Sequence, residues 1–333
     1  MRAIVYDRAG GPEVLRLVDK EPREPGPGEV RVRIAVSGVN PTDWKSRSGT
    51  DPEAPQTPDQ DGSGTVDAVG EDVDLEPGDR VWVFEAAYRN PDGTAEELAV
   101  VPADRVVPLP DGASFDLGAA LGVPALTAHI ALRAGDPVPL PLAPGELSGR
   151  TVLVAGGAGA VGHAAIELAG WAGATVITTV SSPAKAALAR AAGAHHVVDY
   201  RAEDAAAAIR RIAPDGVDLV VEVNPNANAE LDAEVLAPDG TIAVYATDTP
   251  EPLAFAVRPF MAKNLRWRFL LVYTAPAAEK AAAVDGVRAA VAAGALRVGE
   301  EAGLPLTRFP LERTGDAHAA VEQGAVGKVL IDV

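Results

Sequence analysis

The sequence predicts an α/β protein of two domains, one β-rich and one a doubly wound parallel sheet. Three observations carry this. From Thr151 onward, apolar strand-like runs alternate with helical ones. The first 110 or so residues hold short alternating segments split by Pro-Gly turns. A chain of 333 residues, 47% of them hydrophobic, can also fill more than one ordinary core.

Taken in order, "EVRVRIAV" and "DRVWVF" alternate polar and apolar residues, and "EPGPGE" and "EPGD" punctuate them, as expected of half-buried strands with tight turns. From about residue 115 the texture turns helical and rich in Ala and Leu, in "FDLGAALGVPALTAHIALRA". The next stretch, "GDPVPLPLAPGELSGR" at 135–150, has too many prolines for a helix or a central strand and reads as a surface loop. Strands are then expected at "TVLVA", "ATVITT", "HVV", "DLVVEV", "GTIAVYA" and "RWRFLLV", with helices near 161–172, 183–192, 202–212, 228–237 and 277–293. Most of these strands are continuous apolar runs, the pattern of a sheet covered on both faces. The last 35 or so residues return to short strands and one helix and are expected to rejoin the first domain.

Composition removes several function classes. The chain has no cysteine, which excludes disulfides, thiolate nucleophiles and thiolate zinc sites and fits a reducing cytoplasm. With 47 acidic against 29 basic residues, its net charge of -18 opposes nucleic acid and anionic membrane. Neither a signal peptide nor a membrane span is expected. Only six lysines occur, at 20, 45, 185, 263, 280 and 328, so their positions carry information.

The stretch "TVLVAGGAGAVGHAAIELAGWAGATVITTVSSPAK" holds the chemistry. Gly157-x-Gly159-x-x-Gly162 lies directly after a strand and before a helix, the context a dinucleotide turn requires. Glycines let backbone amides approach a pyrophosphate, and the helix N-terminus attracts its charge. An NAD site ends its second strand in a carboxylate that binds the ribose hydroxyls. Here Ser181, Ser182 and Lys185 stand instead, a set that suits a 2′-phosphate and points to NADPH. The bland alternative is that Ser181 caps a helix and Lys185 is a solvated side chain.

The motifs "GGPEVL" (10–15), "SGVNPTDWKSRSG" (37–49), "GDRV" (78–81), "GVPALTAH" (122–129), "GGAGAVG" (156–162), "VVDYR" (197–201), "MAKN" (261–264) and "GAVGKVLI" (324–331) follow one another in an order that spans nearly the whole chain. In them the chain resembles the zinc-free medium-chain dehydrogenases/reductases of the quinone oxidoreductase, zeta-crystallin-like group. The resemblance implies a GroES-like catalytic domain at 1–122 and 275–333, a Rossmann-type NADPH-binding domain at 123–274, and a homodimer. It places Gly159, Ala160 and Val161 at the pyrophosphate and Ser181, Lys185 and Tyr200 around the adenosine phosphate. Asn224, Ala246 and Thr247 would line the cofactor; Thr127, Leu271 and Val272 would lie by the nicotinamide, and Lys328 near the C-terminal wall. Asn40 matches the group's asparagine near the nicotinamide, and with Lys45 it is the expected catalytic pair. Two departures stand out. "TPDQD" puts Asp59 where the group has glycine, and Lys45 stands where its zeta-crystallin branch often has tyrosine. Zinc-dependent relatives carry a Cys and a Gly-His-Glu set; "SGVN" and "DQDGSG" occupy those places, so no metal is expected.

Among the histidines, His195 and His196 are adjacent and would point opposite ways in a strand, unsuited to one metal. His163 is expected to face the sheet or solvent, His318 to lie at the surface, and His129 is a candidate proton donor. No GxSxG elbow occurs. The expected activity is metal-free hydride transfer from NADPH to a small conjugated acceptor. A quinone is the first choice and an α,β-unsaturated carbonyl the second. An NADPH-binding protein without turnover is the alternative of another class.

Overall fold

The computed structural model describes every residue from Met1 to Val333 except Pro137, Pro139 and Asp248. The chain opens with the antiparallel pair β1 (Arg2–Val5) and β2 (Arg16–Asp19). It continues through β3 (Glu29–Val39), α1 (Pro41–Gly49), β4 (Asp61–Val69), β5 (Arg80–Val83), β6 (Leu98–Pro102), β7 (Val106–Pro108) and α2 (Phe115–Gly118). The single helical texture predicted from residue 115 is thus broken, and α3 (Gly122–Leu132) follows as a separate helix.

The alternating half comes next: β8 (Thr151–Ala155), α4 (Ala160–Trp171), β9 (Thr175–Val180), α5 (Pro183–Ala191), β10 (His196–Asp199), α6 (Ala205–Ile212), β11 (Val217–Glu222), α7 (Pro225–Val235), β12 (Leu236–Val244), α8 (Val257–Ala262), β13 (Arg266–Phe269) and α9 (Ala277–Ala292). The chain closes with β14 (Leu306–Pro310), α10 (Thr314–Glu322) and β15 (Lys328–Asp332). Local chemistry sets the bounds that differ from expectation. Asp204 caps α6 by accepting from the Ala207 N–H at 3.0 Å, so that helix begins at 205 instead of 202. Pro225 starts α7 three residues early, in the first turn where a missing N–H costs nothing.

Two compact units result, Met1–Val123 with Pro305–Val333, and Pro124–Leu304. In the first, a seven-stranded sheet runs β14-β15-β3-β4-β5-β7, with β6 also paired to β3. Val30, Val32 and Ile34 of β3 pack against Val66, Val81 and Val101 in its core. β15 pairs antiparallel with β3, which confirms that the last strands complete the first unit.

In the second unit six parallel strands run β10-β9-β8-β11-β12-β13. Leu153, Ile177, Val198, Val220 and Ile242 form the core, each apolar enough to be covered on both faces. The direction of winding reverses at β8, between β9 and β11, the switch point where such sheets hold ligands beyond their carboxyl ends. The crossover back to the first unit lies at 304/305, beyond the expected 274/275. The cause is α9, which belongs to the second unit. Its Glu279 pairs with Arg268 of β13, and its Gly286 approaches His129 of α3 so closely that a Cβ would lie 2.4 Å from Nε2.

The 135–150 stretch contains neither helix nor strand among its described residues, as expected. It is not simply surface, because Leu142 and Leu147 are buried and the Leu147 N–H donates to the Ala172 carbonyl at 2.8 Å. Pro137 and Pro139 of this loop lie outside the described residues.

Candidate active site

The glycine turn sits at the carboxyl end of β8, fastened to β9 by Gly156 and Gly157 N–H groups that donate to the Thr179 carbonyl at 3.2 and 3.3 Å. A Cβ at Gly157 would lie 2.1 Å from Thr178 Oγ1, and one at Gly162 2.4 Å from the Gly156 carbonyl oxygen. Gly159 differs: a Cβ there would meet only the Gly156 oxygen, at 3.5 Å. The fold itself therefore requires glycine at 157 and 162 but not at 159, where bare backbone is what an approaching pyrophosphate needs. Gly159 is the N-cap of α4 and brings no side chain to it. The N–H groups of Ala160, Val161 and Gly162 thus remain as anion donors at the positive end of the helix. These residues fit a dinucleotide.

Next to the turn, β9 ends at Val180 and the chain passes into Ser181, Ser182 and Lys185. The helix cap is Ser182, not Ser181: its Oγ accepts from the Lys185 N–H at 3.3 Å. The Ser181 hydroxyl takes no part in that cap. Tyr200, 51% exposed, follows β10, and its N–H donates to the Val180 carbonyl at 3.1 Å. Pairing of Asp199 with Val180 brings Tyr200 and the Ser181–Lys185 segment to one corner.

The remaining candidates of this unit follow the same edge. Asn224 lies past β11, Ala246 and Thr247 past β12, and Leu271 and Val272 past β13. Leu271 is exposed, whereas Val272 is buried. Thr127 lies apart from these loops on α3 and is also buried. Sequence reasoning missed what holds this edge at β11. Glu222, fully buried, accepts from the Asn224 N–H and from Asn228 Nδ2, at 3.0 Å to Oε1 and 3.2 Å to Oε2. Burial holds the Glu222 carboxyl above its usual range, and burial with the charge of Glu222 holds Asp232 well above it.

The first unit presents a different arrangement around Asn40. This residue is 2% exposed and its amide is fully committed: Nδ2 donates to Asp61 Oδ2 at 2.7 Å, and Oδ1 accepts from Lys328 Nζ at 2.6 Å. Lys328 is thus buried in the first unit, with Nζ 3.7 Å from Asp61. Asp61 also accepts the Val123 N–H, at 2.9 Å to each oxygen. Burial pushes its carboxyl up to about 6, although Lys328, Val123 and Asn40 all pull it down. Burial likewise lowers Lys328 against three aspartates that raise it. Asp43, held well above its usual range by burial and by Asp59, accepts the Asn40 N–H at 2.7 Å. Lys45 lies on the exposed side of α1, with Nζ 5.8 Å from the Trp44 ring centroid. It borders a cavity of ≈ 520 Å³ whose walls include Tyr6, Asp43, Asp59, Tyr88 and Arg89.

Comparison with known proteins gives this arrangement its family. Residues 26–111 match the alcohol dehydrogenase GroES-like domain, and residues 160–294 match the family described as zinc-binding dehydrogenase. The quinone oxidoreductase of Sus scrofa is 30% identical over 341 residues, covering 99% of this chain and 97% of that one. The chain belongs to the quinone oxidoreductase group of the medium-chain dehydrogenases/reductases. Its first unit is GroES-like, its second Rossmann-type, and the protein is an oxidoreductase. Among solved structures, an Escherichia coli quinone oxidoreductase complexed with NADPH superposes with a TM-score of 0.82 at 26% identity, and an NAD-dependent alcohol dehydrogenase with 0.85 at 30%. Each covers 100% of both chains.

The zinc named in that family description does not fit the residues present. There is no cysteine, and among the described residues no three His, Asp or Glu side chains gather as ligands. Asp61 of "DQDGSG" is already met by two N–H donors and by the Lys328 ammonium.

Four histidines have structural partners, His195 among them, whose Nδ1 accepts the Val176 N–H at 3.0 Å. The candidate proton donor His129 accepts the Leu142 N–H at Nε2, 2.9 Å away, and so fastens the 135–150 loop. Burial and Arg133 hold its imidazole down to about 4, so it is neutral and a poor acid. His163 is buried, with Nε2 3.1 Å from Glu167 and 3.0 Å from the Arg297 carbonyl. His318 is not at the surface. It is fully buried on the inner face of α10, with Nε2 2.8 Å from Asp59 Oδ1. Asp59 itself has φ +76°, the left-handed backbone that explains why glycine suits this place.

Proposed function

We propose that this protein transfers hydride from NADPH to a small quinone without a metal. The observation that carries the reading is the end of β9. No carboxylate stands there to receive a 2′-hydroxyl, and Ser181, Lys185 and Tyr200 lie on neighbouring segments at one corner, a set that suits a 2′-phosphate. When bound, the nicotinamide supplies the hydride. The chain binds and orients: the N–H groups of Ala160, Val161 and Gly162 hold the pyrophosphate. Asn224, Ala246 and Thr247 line the cofactor, and Thr127, Leu271 and Val272 take its nicotinamide end. Glu222 positions Asn224 through its backbone N–H. Within the first unit Asn40 acts as a positioning residue, because its amide joins Lys328 to Asp61. Lys45 supplies positive charge at the cavity where a reduced acceptor becomes anionic.

This reading takes the enzyme to be cytoplasmic and homodimeric. Among the described residues no helix is long and apolar enough to cross a membrane. The test is NADPH and NADH oxidation measured against simple quinones, enones and enoyl thioesters. Turnover with quinones and preference for NADPH are expected. Turnover confined to enones or thioesters would move the enzyme to reduction of α,β-unsaturated carbonyls.

A further inference from the structure

We infer that Asp232 is a positioning residue for the cofactor: it keeps its proton and donates it to Glu222, so that a single charge fastens the loop between β11 and α7. This rests on the reading above, in which Asn224 of that loop lines the cofactor. Glu222 is the last residue of β11, and Asn228 and Asp232 stand one turn apart on α7, so the helix presents both to the end of the strand. The Glu222 carboxylate is well supplied. It accepts the N–H groups of Val223 and Asn224, and Asn228 Nδ2 lies 3.0 Å from Oε1 and 3.2 Å from Oε2. Asp232 is the opposite case. It is 1% exposed, no N–H group among the described residues reaches either of its oxygens, and its partner is the Glu222 carboxyl itself.

Two carboxylates in contact and out of water cannot both stay ionised without a cation between them. None acts on Asp232, whose surroundings contribute burial and the Glu222 carboxyl. Arg210 and Lys263 meet α7 further along, at the Glu234 carboxylate and at the Ala233 and Glu234 carbonyls. Tyr245, past β12, faces Glu222, and its phenol is raised by burial and by that charge. One carboxyl of the pair therefore carries a proton, and donor counting says which. Glu222 already accepts at both oxygens, as an anion does, whereas Asp232 has nothing to accept and so gives. Burial and the Glu222 charge hold the Asp232 carboxyl well above its usual range, in keeping with this.

The consequence falls on the loop. Asn224 takes its backbone position from Glu222, and Glu222 takes its own from Asn228 and the Asp232 proton. The proton also leaves one negative charge instead of two at an edge proposed to take an anionic cofactor.

The experiment compares wild type with Asp232→Asn, which keeps a donor but has no proton to lose, and with Asp232→Ala and Asp232→Leu, which keep no donor. Urea unfolding of wild type and the asparagine variant from pH 5.5 to 7.5 reads the proton. An unfolded aspartate ionises at about 4, so the wild-type fold takes a proton up; the stability this acid lends is present below that value and lost as pH rises toward its folded one. The ratio of folding constants, variant over wild type, should therefore grow about tenfold per pH unit. A ratio that does not change with pH would overturn the inference. Fluorescence titration with NADPH and NADH at pH 7.5 reads the positioning. The asparagine variant should bind NADPH within about twofold of wild type, and the alanine and leucine variants should bind both nucleotides about tenfold more weakly. One of those two stays measurable if the other fails to fold. Loss with both nucleotides separates this role from that of Lys185, which acts on NADPH alone. Wild-type affinity in the folded alanine or leucine variant, the result of a merely structural acid, would overturn the inference alone. A wild type that binds neither nucleotide would overturn it together with the reading beneath it.

Discussion

Replacing Lys328 by Met removes one charge from a site where nothing else can take its place. The ammonium is buried, donates to Asn40 Oδ1 at 2.6 Å and stands 3.7 Å from Asp61. Methionine of similar length leaves Asp61 with the Asn40 and Val123 donors but no cation. Breaking one side of a buried ion pair costs about 3–5 kcal/mol. At about 2–4 °C per kcal/mol for a unit of this size, the thermal midpoint should fall by roughly 6–20 °C.

The pH dependence follows from Asp61, already raised to about 6. A carboxyl raised above its unfolded value favours the fold while protonated. That stability is present below the unfolded value and is lost as pH rises through the folded one. Removing Lys328 raises Asp61 further, so the deficit should be small near pH 5 and full by pH 8. Scanning fluorimetry at both values, with Asp61→Asn added to the Met variant, is the assay. The second substitution should recover much of the loss at pH 8. A midpoint shift under about 2 °C at both pH values, or no recovery, would refute the reasoning.

Lys185→Ala should weaken NADPH about tenfold to a hundredfold and leave NADH nearly unchanged, since a charged phosphate contact is worth about 1.5–3 kcal/mol. Titration calorimetry with both nucleotides checks this, and equal losses would remove the assignment. Elemental analysis should find no stoichiometric zinc, and chelation should leave turnover intact; loss of activity with zinc released would contradict the metal-free reading. Light scattering at micromolar concentration should give a dimer paired through β13, and Phe269→Glu should yield monomers. Phe269 and Leu271 are 65% and 53% exposed there, while the edge arginines already have internal partners, Arg268 on Glu279 and Arg266 on the Asp239 carbonyl at 2.6 Å.

Local patterns made the second unit readable. β8 to β12 are apolar runs bounded by turn residues, and the glycine turn declares its own neighbours. α8 escaped because Pro259 falls inside it, although proline is tolerated in a first helical turn. α9 was assigned to the wrong unit because its anchors, Arg268 and His129, lie on elements far from it in sequence. The candidate site of the first unit was legible only in part for the same reason. Asn40 and Lys328 meet across 288 residues, and Asp59 and His318 across 259. A lone histidine in a helical pattern gives no sign of which face it takes, so His318 was expected outside. The sequence did flag Asp59 as foreign to its motif, and that departure proved to sit on a strained backbone.

Because all six strands of the second unit run the same way, the residues proposed to hold the cofactor are almost all loop residues hung from one rim. The strands beneath them fix the rim but do not dictate its lettering. Ser181 to Lys185 can therefore be rewritten toward a carboxylate without disturbing Leu153, Ile177 or Val220, and without touching the Asn40–Lys328–Asp61 cluster, which belongs to another stretch of chain. In the proposed reading, cofactor choice and acceptor chemistry are thus separate dials, and each can be turned while the other is held.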